Sequence, residues 1–188
     1  MMGKQKIILL AALVVLVATL SLVTNNVKKI VTENKIASEE FKCVLTKTDA
    51  LGPYYIPNIP ERAVTGDGKL TITGRVISWP ECLPVPNAKI EFWQAGADGR
   101  YTDDQRSAVY ADNTGSFYYR SSFPGVYEAR PVHIHVKISS NKLNDLVTQI
   151  YPEGKLMETQ VIRDFVALSS DAIAPNGYDV EAPNLPIR

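Results

Sequence analysis

The sequence predicts an all-β sandwich that follows an apolar export or anchor helix. Two observations favour the sandwich: from Gly52 onward short β-rich runs alternate with Pro, Gly, Asn and Asp, and few long helical periods compete with them. Size bears on the number of domains, because 188 residues with 45% hydrophobic content fill one core but are short for two domains. We expect a signal peptide or membrane anchor at 1–24, a polar linker or short helix at 25–42, and one sandwich domain at 43–188.

The first region contains an apolar run from Ile7 to Val23, which carries no charge and follows Lys4 and Lys6. Its length suits the core of a signal peptide and is the lower limit for crossing a bilayer. A buried core helix is disfavoured because the run is apolar on every face. Whether the segment is cleaved or retained stays open. In both cases we expect an exported domain that is secreted, periplasmic or membrane-anchored, with only this segment touching the membrane.

The two cysteines, Cys43 and Cys82, both follow the export segment. In an oxidising compartment they could form one disulfide that ties the start of the domain to its early loop. Two free thiols are the alternative, which a cytosolic location would favour.

The β-rich part of the chain contains six predicted strands. They are Leu70–Ser78, Ala88–Gln94, Gly115–Arg120, Val132–Ile138, Val147–Tyr151 and Phe165–Leu168. Several short strands at this spacing indicate a sandwich or barrel. The turns between them come in an order shared by extracellular prealbumin-like β-modules that only bind or brace. A non-catalytic binding module of that kind is therefore the alternative function.

The charge balance argues against a nucleic-acid partner. Lys plus Arg and Asp plus Glu each total 20 residues, so the chain has no basic excess. A small or neutral partner is expected instead.

The only two histidines, His133 and His135, lie on the predicted strand Val132–Ile138. Side chains repeat every two residues along a strand, so both imidazoles should point to one face while Ile134 points to the other. This arrangement places two nitrogen ligands side by side. Taken alone, the pair could equally be ordinary strand residues that make hydrogen bonds.

Two tyrosines complete the candidate constellation. Tyr101 follows Gly99-Arg, and Tyr127 follows Pro124-Gly-Val, six residues before His133. Glycine-containing turns can present a side chain at the rim of a sheet. In a chain with nine tyrosines, each of these two alone is more often a packing residue, and Tyr110 is the alternative if Tyr101 is misassigned.

Together these motifs resemble the intradiol ring-cleavage dioxygenases, the nonheme iron(III) catechol and protocatechuate dioxygenases. The resemblance covers most of residues 43–154. Its pieces are Gly52-Pro-Tyr-Tyr55, Ala88–Trp93, Gly99-Arg-Tyr101, Asp112–Phe117, Pro124-Gly-Val-Tyr127, Arg130-Pro-Val-His-Ile-His135 and Thr148-Gln-Ile-Tyr-Pro-Glu-Gly154. Each piece is weak alone, but the combination is specific.

The resemblance implies one Fe(III) per chain. Its four protein ligands would be Tyr101, Tyr127, His133 and His135. Phenolate oxygens are hard anionic donors that favour Fe(III), and a bound cation lowers the pKa of a phenol. Zinc and copper sites prefer thiolates or more than two histidines.

The resemblance also implies the reaction and the residues that support it. A catechol-type aromatic and O2 would react with cleavage of the ring between its two hydroxylated carbons, giving a cis,cis-muconate-type diacid. Tyr127 would take a proton from the substrate, Arg130 would stabilise developing negative charge, and Gln149 would hydrogen-bond to the bound molecule. The alternative for Gln149 is an exposed polar strand residue. Tyr54 and Tyr55 match the segment at the pocket entry, although packing beside Pro53 is nearly as good an interpretation.

Two departures from the better-known members indicate an exported single-domain subgroup. The stretch between Tyr127 and Arg130 is very short, and no long helical dimerisation domain precedes Gly52. A short loop favours a more open pocket that tolerates larger or substituted catechols. The oligomeric state stays open.

Overall fold

The computed structural model describes residues 43–152 and 160–179, together with the single residues Gly3 and Ser21. The expected export segment and polar linker otherwise lie outside the described residues. Among the described residues, no helix is long and apolar enough to cross a membrane. The chain divides into two compact units, Met1–Lys42 and Cys43–Arg188, and the sheets described below lie in the second.

The regular secondary structure described in the second unit is almost entirely β-strand. Its described helical content is one turn of 3₁₀ helix, Asp103–Gln105. The strands in chain order are β1 (Leu70–Trp79), β2 (Leu83–Pro84), β3 (Lys89–Gln94), β4 (Arg106–Tyr110), β5 (Ser116–Ser121), β6 (Ile134–Ser139), β7 (Leu146–Ile150), β8 (Gln160–Ile162) and β9 (Phe165–Leu168).

The strands form two sheets. In the first sheet, β1 is the central strand: it pairs antiparallel with β2 and β5 and parallel with β8 and β9. The second sheet has the order β4-β3-β6-β7, with every pair antiparallel. In that sheet the register places Trp93 opposite both Arg106 and His135, and His135 opposite Gln149. These four residues therefore form one row across the sheet.

The hydrophobic core fills the space between the two sheets. Alternation along β6 sends Ile134, Val136 and Ile138 into this core, where each is fully buried. From the facing strands, Phe92 stacks on Tyr119 with ring centroids 4.4 Å apart and planes inclined by 15°. Because side chains alternate along a strand, the row that contains His135 lies on the opposite face of the second sheet, away from this core.

A segment that we call the strap, residues 43–65, covers that outer face. Near its start, Thr46 donates its N–H to the Val166 carbonyl, and the Asp49 N–H bonds to the carbonyl of Val147 in β7. Near its end, the Thr65 N–H bonds to the carbonyl of Arg120 in β5. A disulfide joins Cys43 to Cys82, with Cα atoms 5.8 Å apart. The strap is therefore attached to the sandwich at both ends.

The structure has three strands that the sequence did not predict: β2, β4 and β8. In β4, Arg106 and Ser107 are buried polar residues that bond to strap carbonyls, with Arg106 Nη1 2.6 Å from the Tyr54 oxygen and Ser107 Oγ bonded to the Arg62 oxygen. Because these buried residues are polar, the β4 sequence lacks the apolar and polar alternation that predicts a strand. The other two escape prediction because β2 has two residues and β8 has three, mostly exposed.

Candidate metal centre and active site

The two histidines lie side by side at the outer face of the second sheet, with His135 in β6 and His133 directly before it, so the strand predicted at Val132–Ile138 begins two residues later than expected. Their Nε2 atoms are 3.2 Å apart, and both side chains are only 2% exposed. The Nδ1 atom of His133 lies 2.7 Å from the carbonyl oxygen of Pro131. Since a carbonyl can only accept, Nδ1 carries the proton and Nε2 presents a lone pair to its neighbour.

Tyr101 brings a third donor atom to the same point. Its Oη is 3.1 Å from Nε2 of His133, and its ring centroid is 5.9 Å from that of His135. Three of the four ligand atoms expected from the sequence thus face one another.

Tyr127 joins this group through the other tyrosines. Its Oη is 2.8 Å from Oη of Tyr54, and its ring stands edge-on to Tyr101 at 5.4 Å. Tyr54 in turn stacks on Tyr101, with centroids 4.5 Å apart and planes inclined by 9°. The three rings form one contiguous aromatic cluster beside the histidines.

Close backbone packing positions the two loops that carry Tyr101 and Tyr127. The Gly125 N–H donates to the carbonyl of Ala95 at 2.9 Å. A Cβ atom at Gly125 would overlap the carbonyl of Gly96, so only glycine permits this approach. A Cβ atom at Gly99, two residues before Tyr101, would likewise lie 2.8 Å from the carbonyl oxygen of Val126, so both glycines reflect contact between the two loops.

His135 is held by packing against Trp93 and against the strap. The indole of Trp93 stacks against it, with centroids 5.0 Å apart and planes inclined by 7°. On the strap, Gly52 has a φ of +76°, and a Cβ there would lie 2.9 Å from Cε1 of His135. Positive φ and lack of space both require glycine at this position. The sequence analysis quoted Gly52 and Trp93 only as motif residues and gave them no role at the site.

Arg130 and Gln149 lie at the edge of the same group. Arg130 is half-buried, and its Nη1 is 3.4 Å from Nε2 of His133. Its Nη2 donates to Oε1 of Gln149 at 2.8 Å. Gln149 is 8% exposed, which removes the alternative that it is an exposed strand residue. Its Nε2 donates to the strap carbonyl of Ala50 at 2.9 Å.

Two further residues adjoin Arg130 and Gln149, and the sequence analysis did not single them out. The Oη of Tyr151 is 2.8 Å from Gln149 Oε1, 2.9 Å from Asp49 Oδ2 and 3.3 Å from Arg130 Nη2. Its ring centroid is 6.0 Å from that of His133. One signal was present for Tyr151, because it lies two residues after Gln149 and so repeats its strand face. Asp49 had no such signal.

The structure separates the two tyrosines expected at the pocket entry. Tyr54 belongs to the aromatic cluster, whereas the hydroxyl of Tyr55 donates to Glu91 at 3.2 Å and its ring packs against Trp93 at 5.1 Å. Tyr55 thus lies on the far side of Trp93. Tyr110, the alternative to Tyr101, lies at the other end of β4, opposite Lys89 in β3.

Burial and, for Tyr127, a hydrogen bond set the protonation of these groups. It lowers the pKa of His133, and it lowers the pKa of His135 to about 3 with a contribution from the neighbouring charges of His133 and Arg130. It raises the pKa of Tyr101 to about 12, while the hydrogen bond with Tyr54 raises the pKa of Tyr127. At neutral pH both imidazoles are therefore neutral and both phenols are protonated.

This donor set fits a highly charged, hard cation. Two atoms bound to one ion at about 2.1 Å and about 100° apart are separated by about 3.2 Å, which matches the distances among Tyr101, His133 and His135. Among the described residues, no three His, Cys, Asp or Glu side chains come together as a metal site, so an ion here would depend on tyrosine oxygens. Two neutral imidazoles with phenols that ionise beside a cation suit Fe(III).

Comparison with known proteins points to one family. The chain is 26% identical over 140 residues to hydroxyquinol 1,2-dioxygenase of Corynebacterium glutamicum, covering 58% of this chain and 46% of the relative. It is 27% identical over 168 residues to an intradiol ring-cleavage dioxygenase of Aspergillus niger, covering 70% and 51%. No protein-family model matches. The chain spans about half the length of these curated relatives.

A solved structure with a similar fold is the dioxygenase domain of a dioxygenase carbohydrate-binding protein fusion from Streptomyces sp. SirexAA-E. The TM-score is 0.58 at 28% identity, covering 65% of this chain and 97% of that domain. The curated relatives and structural neighbours are thus intradiol ring-cleavage dioxygenases, the family that the motifs of this chain resemble.

Proposed function

We propose that the chain is an intradiol dioxygenase that uses Fe(III) and O2 to cleave a catechol-type aromatic ring between its two hydroxylated carbons. The observation that carries this proposal is the convergence of Tyr101, His133 and His135: Nε2 of His133 lies 3.1 Å from the Tyr101 hydroxyl oxygen and 3.2 Å from Nε2 of His135. A module that only braces or binds has no need for such a convergence. The names of the relatives, which include hydroxyquinol and chlorocatechol 1,2-dioxygenases, support the same reaction class.

The proposed ligands are Tyr101, Tyr127, His133 and His135. When bound, Fe(III) would supply a Lewis acid that binds the catechol oxygens and draws electron density from the ring. Bound to the cation as a phenolate, Tyr127 would be suited to receive a substrate proton, because its oxygen is supported by Tyr54 at 2.8 Å and because its side chain is partly exposed.

The remaining residues would bind and orient the substrate. The Arg130 guanidinium lies beside the three donor atoms and would stabilise negative charge that develops on the ring oxygens. Gln149 holds the guanidinium through its Oε1. Tyr54 closes one side of the space with its ring. The product we propose is a cis,cis-muconate-type diacid, and the short stretch between Tyr127 and Arg130 favours substituted as well as simple catechols.

We further propose that the domain works outside the cytoplasm. Disulfides persist in oxidising compartments, and Cys43–Cys82 is a disulfide within the domain that would carry the activity. The apolar run Ile7–Val23 would serve as the export element.

The first test is the visible absorption spectrum of residues 25–188 loaded with iron. A broad charge-transfer band, lost in part in both Tyr101→Phe and Tyr127→Phe but kept in Tyr110→Phe, is the expected result. Oxygen uptake and product analysis with catechol and with 3- and 4-substituted catechols then test the reaction and the open pocket. Turnover of catechol alone would contradict the open pocket.

Two outcomes would contradict the proposal itself. Stoichiometric iron without a charge-transfer band would exclude tyrosinate ligation. Failure to take up iron would favour the non-catalytic prealbumin-like module.

A further inference from the structure

One hydrogen-bonded network at the edge of the candidate site consists of Asp49, Tyr151, Gln149 and Arg130. Asp49 belongs to the strap, whereas Tyr151 follows directly after β7, so residues 102 positions apart in sequence meet here. Of these four residues, the resemblance to the family implies roles for Arg130 and Gln149. The resemblance does not explain why Asp49 and Tyr151 contact these two residues.

The hydrogen bonds of this network can be assigned a direction from donor to acceptor. Arg130 can only donate, and its Nη2 lies 2.8 Å from Gln149 Oε1 and 3.3 Å from Tyr151 Oη. The Tyr151 hydroxyl has one proton for two acceptors, Gln149 at 2.8 Å and Asp49 at 2.9 Å. A carboxylate accepts more strongly than an amide oxygen. With the proton directed at Asp49, both the phenol oxygen and Gln149 Oε1 are free to accept from Arg130.

The strap also fixes the amide of Gln149. Ala50, the residue after Asp49, accepts from Gln149 Nε2 at 2.9 Å, which leaves Oε1 directed at Arg130. Asp49 is itself held, because its N–H bonds to the carbonyl of Val147 in β7 at 3.0 Å. Two adjacent strap residues therefore define the orientation of both groups that face Arg130.

The Tyr151 hydroxyl keeps the Asp49 carboxylate near Arg130 but out of direct contact with it, so the positive charge of Arg130 is not neutralised. Within residues 43–152 and 160–179, the ion pairs do not include Arg130. A direct pair with Asp49 would satisfy the guanidinium and lower its attraction for an anionic ligand. With the neutral Tyr151 hydroxyl between them, Asp49 orients Arg130 while the positive charge stays available at the site.

We propose that Asp49, acting through the hydroxyl of Tyr151, is a positioning residue that holds Arg130 and Gln149 in the orientation needed to bind the ionised catechol. This inference rests on the proposed function for its ligand. The part of the inference that concerns structure, namely that Asp49 and Tyr151 immobilise Arg130, does not depend on iron or on turnover.

The first arm of the test measures the mobility of Arg130 by ¹⁵N relaxation of arginine Nε–H groups in the full-length protein without added metal. Wild type should give an order parameter of about 0.85, and both Tyr151→Phe and Asp49→Asn should bring it toward about 0.6. Arg106, which is buried and bonded to the Tyr54 carbonyl, should stay rigid in all three proteins. An Arg130 signal that stays rigid in Tyr151→Phe would overturn the proposal.

The second arm titrates the iron-loaded full-length protein with catechol in the absence of O2 and follows the charge-transfer spectrum. Tyr151→Phe should raise the catechol Kd about tenfold and Asp49→Asn about threefold to tenfold, as the loss of one hydrogen bond allows. The double variant should bind no worse than Tyr151→Phe, because Asp49 acts through that hydroxyl. Additive effects would overturn the coupling.

Matched controls make the same chemical changes at exposed positions. They are Tyr118→Phe in β5 and Asp145→Asn, whose carboxylate pairs with Lys137 at 3.0 Å; both should keep the wild-type Kd. If wild type itself bound no catechol, the proposed function would fail, whereas the relaxation data would still decide whether Asp49 and Tyr151 hold Arg130.

Discussion

The imidazole of His135 and the indole of Trp93 lie parallel on neighbouring strands, 5.0 Å apart at their centroids and inclined by 7°. The two residues are directly opposite in the register of β3 and β6. A proposed metal ligand is thus fixed by an aromatic surface as well as by its own strand.

We expect Trp93→Leu to lower both the free energy of unfolding and the affinity for iron. Loss of a buried indole typically costs about 3 kcal/mol, and loss of the surface that orients a ligand should weaken metal binding about tenfold. Denaturant unfolding and competition with a chelator measure the two effects. The control is Trp79→Leu at the end of β1, which should change stability but leave iron affinity as it is. Unchanged iron affinity in Trp93→Leu would mean that the stack does not orient His135.

Substitution of Gly125 by alanine should separate the two tyrosine-bearing loops. The added methyl group would overlap the Gly96 carbonyl, so the loops must move and the charge-transfer band of the iron-loaded protein should weaken or shift. Gly177→Ala is the control, since nothing lies within 4 Å of a Cβ there and its cost is limited to about 1 kcal/mol for positive φ. A wild-type spectrum for Gly125→Ala would show that the loops position the tyrosines independently.

Removal of the disulfide should loosen the strap. Cys43 and Cys82 are 39 residues apart, and a cross-link of that length stabilises the folded state by about 3 to 4 kcal/mol. We expect Cys43→Ser/Cys82→Ser to lower the urea midpoint accordingly and to speed hydrogen exchange at the amides of Thr46 and Asp49. Reductant should shift wild type to the same midpoint and leave the double variant unchanged. Exchange that is faster throughout the sandwich but not in the strap would contradict this account.

Replacement of Arg130 by lysine should impair substrate binding although it keeps the positive charge. Lysine cannot reproduce the planar fork that reaches both Gln149 and the donor atoms of the site, so kcat/KM should fall about tenfold or more. Steady-state kinetics with catechol measure the loss, and Arg163→Lys, at an exposed position before β9, should retain wild-type kinetics. Equal kinetics in Arg130→Lys would reduce its role to that of a point charge.

The core strands were predictable because their residues alternate. The run Leu70–Ser78 became β1, one residue longer at Trp79, and the prediction that His133 and His135 share a face agrees with the burial of Ile134 in the core. β4 escaped prediction because the strap buries its polar residues, and a polar residue in the sequence does not show which backbone will cover it.

Only some residues of the candidate site could be predicted from the sequence, for a similar reason. The family resemblance indicated Tyr101, His133 and Gln149; Gln149 lies on the predicted strand β7 and His133 directly before β6, whereas Tyr101 lies in the loop before the unpredicted β4. The contact of Asp49 with Tyr151 joins residues 102 positions apart, and no local pattern encodes which strap residue arrives there.

One strand, β6, separates the candidate chemistry from the core, with Ile134, Val136 and Ile138 on one side and His135 on the other. The two faces of this strand can therefore change independently over evolutionary time. Under the proposed function, a change of substrate would fall on the strap and the two tyrosine-bearing loops, while selection for foldability acts on a different set of side chains.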